Sequence, residues 1–201
     1  MLKGALLSVL VLAVLGTAGA AVYLKTTGLS ARAAPGRVEA AVARRARAWA
    51  VPSEYRDKAN PIAVDADSVQ AGMAHYADHC ASCHANDGSG NTALGRGLFP
   101  PAPDMRGRAT QAMSDGELFY VIEHGVRFTG MPAWSTGTAA GEETSWQLVN
   151  FVRHLPQLTP QQLEEMAGMN PRPPADVRQE IREEQFLAGD EVTPAAAAAA
   201  H

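Results

Sequence analysis

Cys80-Ala81-Ser82-Cys83-His84 is the stretch of this chain whose residue types and spacing dictate a chemistry. Two thiols separated by two residues and followed at once by an imidazole form the Cys-x-x-Cys-His pattern of covalent haem attachment. The thiols add across the haem vinyl groups and the histidine becomes an axial iron ligand. All three side chains lie within about one and a half helical turns, so one macrocycle edge and its iron are in reach together. Two other uses of a Cys-x-x-Cys pair compete. A structural zinc needs four ligands, yet these two cysteines are the only ones in the chain. A redox dithiol opens a helix after a strand, whereas this pair closes a helical pattern.

An iron held by one histidine has a sixth position to account for. Of seven methionines, Met131 alone stands in a structured-looking loop, Gly130-Met131-Pro132-Ala133-Trp134, where the proline forces it out of helical geometry. A thioether is soft and neutral, favours ferrous iron and raises the reduction potential. With both axial positions filled the expected task is electron transfer, and no catalytic residue is assigned. The competing use of Met131 is ordinary core packing.

The elements that must position these residues read as helices. Asp67-Ser68-Val69-Gln70 forms a capping box, and apolar or small residues at 69, 72, 73, 76 and 80 make a stripe running into the haem motif. His75 and His79, on the other face, are expected to face solvent. Residues 85–105 are dense in Gly, Asn and Pro without a sustained period, which predicts a long loop wrapping the cofactor. Ser114 to Glu117 is a second capping box, opening a helix that stops at Gly125. Thr144-Ser145-Trp146-Gln147 is expected to cap a last core helix with the stripe Leu148, Phe151, Val152 and Leu155. Thr159-Pro160-Gln161-Gln162 opens a short acidic helix, and residues 174–187 form another, charged almost all round.

Ahead of this lies an uncharged run, residues 4–24, bounded by Lys3 and Lys25 and long enough to cross a bilayer. It exceeds a signal-peptide core, so an uncleaved anchor is expected, although Ala18-Gly19-Ala20 and Ala31-Arg32-Ala33 resemble cleavage sites. Basic residues follow the span at Arg32, Arg37, Arg44, Arg45 and Arg47, which by charge alone would put that side in the cytoplasm. Thioether attachment of haem belongs to the export side, and that chemistry decides the expected orientation. Residues 38–49 favour a basic amphipathic helix that rests on a membrane surface or acts as a spacer.

The net charge of −4 is unevenly spread: residues 25–58 hold eight Lys/Arg against three Asp/Glu, and residues 59–159 five against ten. The basic stretch suits anionic head groups, while the acidic centre gives nucleic acid no footprint.

Residues 65–158 resemble a single-haem class I cytochrome c. Besides the attachment motif, Gly72 and Tyr76 stand where that family crosses its C-terminal helix, and Leu148 and Phe151 match the residues packed against them. Asp115-Gly116-Glu117-Leu118-Phe119 and the Met131 loop look like membrane-bound bacterial members with one N-terminal anchor. The resemblance implies an all-α class I cytochrome c fold behind a transmembrane helix, one covalent haem c on Cys80 and Cys83, and His84 and Met131 as iron ligands. It implies an electron carrier, not an enzyme, on the periplasmic side of the inner membrane, with redox proteins as partners and no small-molecule substrate.

The expected division is an anchor or signal over 1–25, a basic linker over 26–64, the cytochrome domain over 65–158 and an acidic, low-complexity extension over 159–201. Two rivals remain: a haem subunit of a larger oxidase or dehydrogenase, and a peroxidase-like or gas-binding protein with His124 or His154 near an open iron face.

Overall fold

The computed structural model describes residues 2–28, 30–31, 33–172 and 174–188. Arg32 and the alanine-rich residues 195–201 lie outside them. Every regular element among the described residues is helical. Helix α1 (Leu2–Thr27) contains an apolar span, Leu6–Thr26, long enough to cross a membrane. It is followed by α2 (Arg37–Ala50) and a single turn, α3 (Ser53–Arg56).

Two long helices cross to make the core. Helix α4 (Ala66–His75) starts at Asp65, not at Asp67 as the capping pattern suggested. The Asp65 carboxylate accepts from the Ser68 amide at 2.8 Å, and the Ser68 hydroxyl answers by accepting from the Asp65 amide at 3.2 Å. Ser68 also donates to the Ala63 carbonyl and accepts from Asn150, partners that hold the start of the helix in place and that no local pattern reveals.

Helix α4 does not run unchanged into the haem motif. The backbone widens to a π turn over Tyr76–Cys80 and tightens again in α5 (Ala81–His84), where Ala85 ends it at a positive φ of 61°. Single π turns inside helices are common at functional sites, because the extra residue re-aims the side chains that follow.

The loop expected over residues 85–105 contains a short helix, α6 (Ala93–Gly97), whose N-terminus Thr92 caps by accepting from the Gly95 amide at 2.8 Å. After the turn α7 (Arg108–Gln111), α8 (Asp115–His124) opens on the Ser114/Glu117 capping box and stops at Gly125 as expected. Helix α9 (Ala139–His154) begins before the expected Thr144: Thr138 is the cap, and Thr144 sits inside the helix bonded back to Ala140. Its first turn is exposed and carries no apolar stripe, so periodicity starts only at Trp146. A 3₁₀ turn over Leu155–Gln157 leads to α10 (Pro160–Met169), capped by Thr159 and Gln162, and then to α11 (Pro174–Ala188).

The buried core joins Met73, Tyr76, Leu118, Phe119, Trp146, Leu148, Val149, Phe151, Val152 and Leu155. Segments on either side of residues 65–158 also pack into it. Met166 of α10 is fully buried, and Tyr55 of α3 lies 6.3 Å from Phe119 in a stacked arrangement. The Lys58 ammonium stands 4.9 Å from the Phe119 ring centroid and 5.5 Å from that of Trp146, a cation–π contact on a core stack. Asn60 donates to the Trp146 carbonyl at 3.1 Å and to Asn150 at 2.8 Å, so the chain enters the core through a polar clasp.

Candidate haem-attachment site

The crossing of α4 and α9 positions the attachment helix. Gly72 lies so close to α9 that a Cβ would overlap the Gln147 carbonyl. Four residues on, the Tyr76 ring packs on Phe151 at 5.0 Å between centroids, and its hydroxyl donates to the Ala85 carbonyl at 3.0 Å. That bond spans the whole Cys80–His84 segment. Burial holds the Tyr76 phenol neutral, well above its ordinary range.

The far end of α5 is tied by the loop that follows. The Gly90 amide donates to the His84 carbonyl at 2.8 Å and the Thr92 hydroxyl to the Cys83 carbonyl at 3.2 Å, satisfying carbonyls a short helix leaves open. Gly95 packs against Cys83 with no room for a Cβ. Arg106 closes the loop at its base, bonding Asp104 at 2.9 Å and Asp87 at 3.0 Å.

Cys80 and Cys83 are half-buried free thiols. Burial, with Cys83 adding to it, pushes the Cys80 thiol up to about 12. A redox dithiol works through a lowered thiol pKa, the opposite direction, and no group of three or more metal-binding side chains occurs among the described residues. Burial likewise holds His84 below its ordinary value, hence neutral. Its Nδ1 is buried and makes no hydrogen bond of standard geometry, although the Pro103 carbonyl is close enough to favour a proton on the ring. A neutral imidazole is the form that ligates a metal, and a buried Nδ1 next to a backbone carbonyl leaves the other ring nitrogen for the iron, so these residues fit a haem held by two thioethers and one imidazole.

Met131 is half-buried in a tightly specified loop. Its amide donates to the Thr129 hydroxyl at 3.1 Å, and its carbonyl accepts from Val126 at 3.1 Å. Trp134 and Ser135 return to the Ile122 and Glu123 carbonyls at 3.1 and 3.2 Å, docking the loop on the end of α8. Gly125, at φ 65°, permits the reversal, since a Cβ there would stand 2.6 Å from the Met131 carbonyl oxygen. Gly130 meets Leu98 of the post-histidine loop, with a would-be Cβ 2.6 Å from a Leu98 methyl. The methionine loop and the loop after His84 therefore touch.

The expectation that His75 and His79 face solvent is corrected. Both are half-buried, their rings 4.5 Å apart, and His79 also lies 5.4 Å from the Trp134 ring. His79, within the π turn, thereby stands against the methionine loop. His124 and His154 are each engaged elsewhere: His124 lies 3.3 Å from the Tyr55 hydroxyl, and His154 within 3.3 Å of the Gln162 amide. Pro103, Thr92 and Gly95 were missed as site residues. Only the Pro-rich run 100–103 and the glycine density hinted at them.

An all-helical core around a Cys-x-x-Cys-His helix, behind an apolar helix long enough to cross a membrane, is the arrangement expected of a membrane-anchored class I c-type cytochrome domain, a family whose members carry covalent haem c. Residues 67–152 match the family described as cytochrome c oxidase, cbb3-type, subunit III. The same region is similar to the cbb3-type cytochrome c oxidase subunit FixP of Rhizobium meliloti (strain 1021), 37% identical over 87 residues. That alignment covers 43% of this chain and 27% of the length of FixP.

Proposed function

We propose that this chain is a membrane-tethered electron carrier with a single haem c, joined through Cys80 and Cys83 and ligated by His84 and Met131. The observation that carries the proposal is the locked attachment helix: Gly72 against Gln147, Tyr76 bridging to Ala85, and a buried neutral His84 beside Pro103. When bound, haem supplies a one-electron Fe(III)/Fe(II) couple. The chain's own residues do the rest. Cys80 and Cys83 would fix the macrocycle edge, burial keeps the His84 imidazole neutral, and Thr129 with Gly125 holds Met131 in a fixed loop. With His84 and Met131 both holding it, the iron would be kept from small molecules, and the domain would work as a carrier.

The haem domain, over residues 65–158 with the flanking packed segments, sits on the periplasmic side of the inner membrane. It exchanges electrons with protein partners. The match to a cbb3-type oxidase subunit favours one setting for this, a tethered haem feeding an oxidase complex. Absorbance spectra of the purified oxidised and reduced protein test the proposal. Low-spin haem c with methionine–histidine ligation is expected, and high-spin ferric haem would overturn it.

A further inference from the structure

We propose that α2 is a second membrane contact: it lies flat on the anionic lipid surface of the bilayer that α1 spans, and so fixes the orientation of the haem domain. The proposal rests on α1 being retained as an anchor.

None of the residues of α2 is buried by the rest of the chain. Val38, Val42 and Trp49 are 78%, 62% and 85% exposed, and at 100° per residue they fall within one narrow sector of the helix. The half-buried residues, Ala40 and Arg47, are on the opposite side. The apolar stripe therefore faces away from the protein. Arg45 lies at the edge of that stripe, whereas Arg37 and Arg44 stand about 120° and 140° round the helix from its centre, on the polar face, and Glu39 is the only acidic residue of the helix. An apolar stripe with an aromatic residue, one arginine at its edge and further arginines on the polar face is the chemistry of a helix lying in the head-group layer.

Two further observations choose an anionic bilayer as the occupant. Residues 28–36, between α1 and α2, span at most about 30 Å when extended, so α2 cannot leave the neighbourhood of the membrane. Its charge is opposite to that of anionic head groups, which attract each nearby arginine. At its other end α2 is fastened to the haem domain. Arg56 donates to the Ala48 carbonyl at 2.7 Å and the Val51 carbonyl at 3.1 Å, and Val51 is buried. Tyr55 then stacks on Phe119. A helix pinned to the domain and laid on lipid converts a flexible tether into a fixed mount.

The test uses full-length haem-loaded protein in vesicles of phosphatidylcholine alone, or with about one-third phosphatidylglycerol, and hydrogen exchange of residues 37–50. Exchange should slow about tenfold or more in the anionic vesicles, and Arg44→Gln with Arg45→Gln, or Trp49→Ser, should remove the difference. Equal exchange in both vesicles overturns the proposal: fast in both means a solvated spacer, slow in both means packing on protein. A carbonate wash of the same vesicles separates the two ideas. Release of the chain overturns the anchor and this contact together, whereas retention with equal exchange overturns this contact alone.

Discussion

Gly72 of α4 passes Phe151 of α9 so closely that a Cβ on Gly72 would stand 2.9 Å from the Phe151 Cβ. The helix that leads into the attachment motif and the helix that carries the core stripe are therefore joined backbone to backbone, with Tyr76 completing the contact one turn on. We predict that Gly72→Ala destabilises the domain by about 1–3 kcal/mol, because the added methyl must push apart a packed crossing. Chemical denaturation of the haem-loaded protein measures it. A change near zero would mean that the crossing is looser than this geometry.

Attachment gives the second prediction. Cys80 and Cys83 are the only thiols in the chain, so haem should stay with the protein through acid–acetone extraction. Cys80→Ala should leave one thioether and shift the reduced absorption bands toward those of a haem with one free vinyl group. His84→Ala should lose low-spin haem. Haem extracted completely from the wild type would end the cytochrome c assignment.

The Ser114 and Thr159 caps were legible because each depends on residues within a few positions of one another. What escaped depends on distance. Asp65 and Asp67 are both plausible caps, and the choice between them rests on Ser68 meeting Ala63 and Asn150. The start of α9 was hidden because its first turn is solvated. The π turn has no apolar period of its own, yet it contains His79, which stands beside Trp134. Tyr55, Lys58 and Met166 looked like linker and extension, since nothing local reports that Phe119, Trp146 and the α4 face leave room for them.

The third prediction concerns acid stability. Burial, with the neighbouring His79 adding to it, holds His75 below its ordinary 6.5, against a smaller opposing pull from Asp78. The unfolded chain then takes up the proton first, so stability should fall as pH drops below about 6.5 and stop falling below the folded-state value. The difference in urea midpoint between about pH 7.5 and about pH 5.5 should shrink in His75→Gln. An unchanged difference would show that other groups carry it. A separate loss is expected in stronger acid. The Ser68 amide holds Asp65, and the Arg106 side chain holds Asp104, below 3.8, so their stabilisation is present above that value and disappears as they protonate.

The last prediction decides the function. With Met131 as the sixth ligand, the oxidised protein should show a weak near-infrared sulfur-to-iron band, and Met131→Ala should abolish it while haem stays covalently bound. The reduction potential should fall, because the soft thioether stabilises ferrous iron more than ferric. For one electron, each tenfold loss of that preference lowers the potential by about 59 mV, so even a modest change is measurable. Met131→Ala should also open the iron to carbon monoxide and cyanide, giving binding that the wild type lacks. The loop itself should survive the substitution, since Gly125, Thr129, Trp134 and Ser135 hold it through backbone bonds that do not involve the methionine side chain. Ready carbon monoxide binding by the wild-type ferrous protein, with neither spectrum nor potential altered in Met131→Ala, would rule out the closed carrier. A ligand-binding haem with an open face would then take its place.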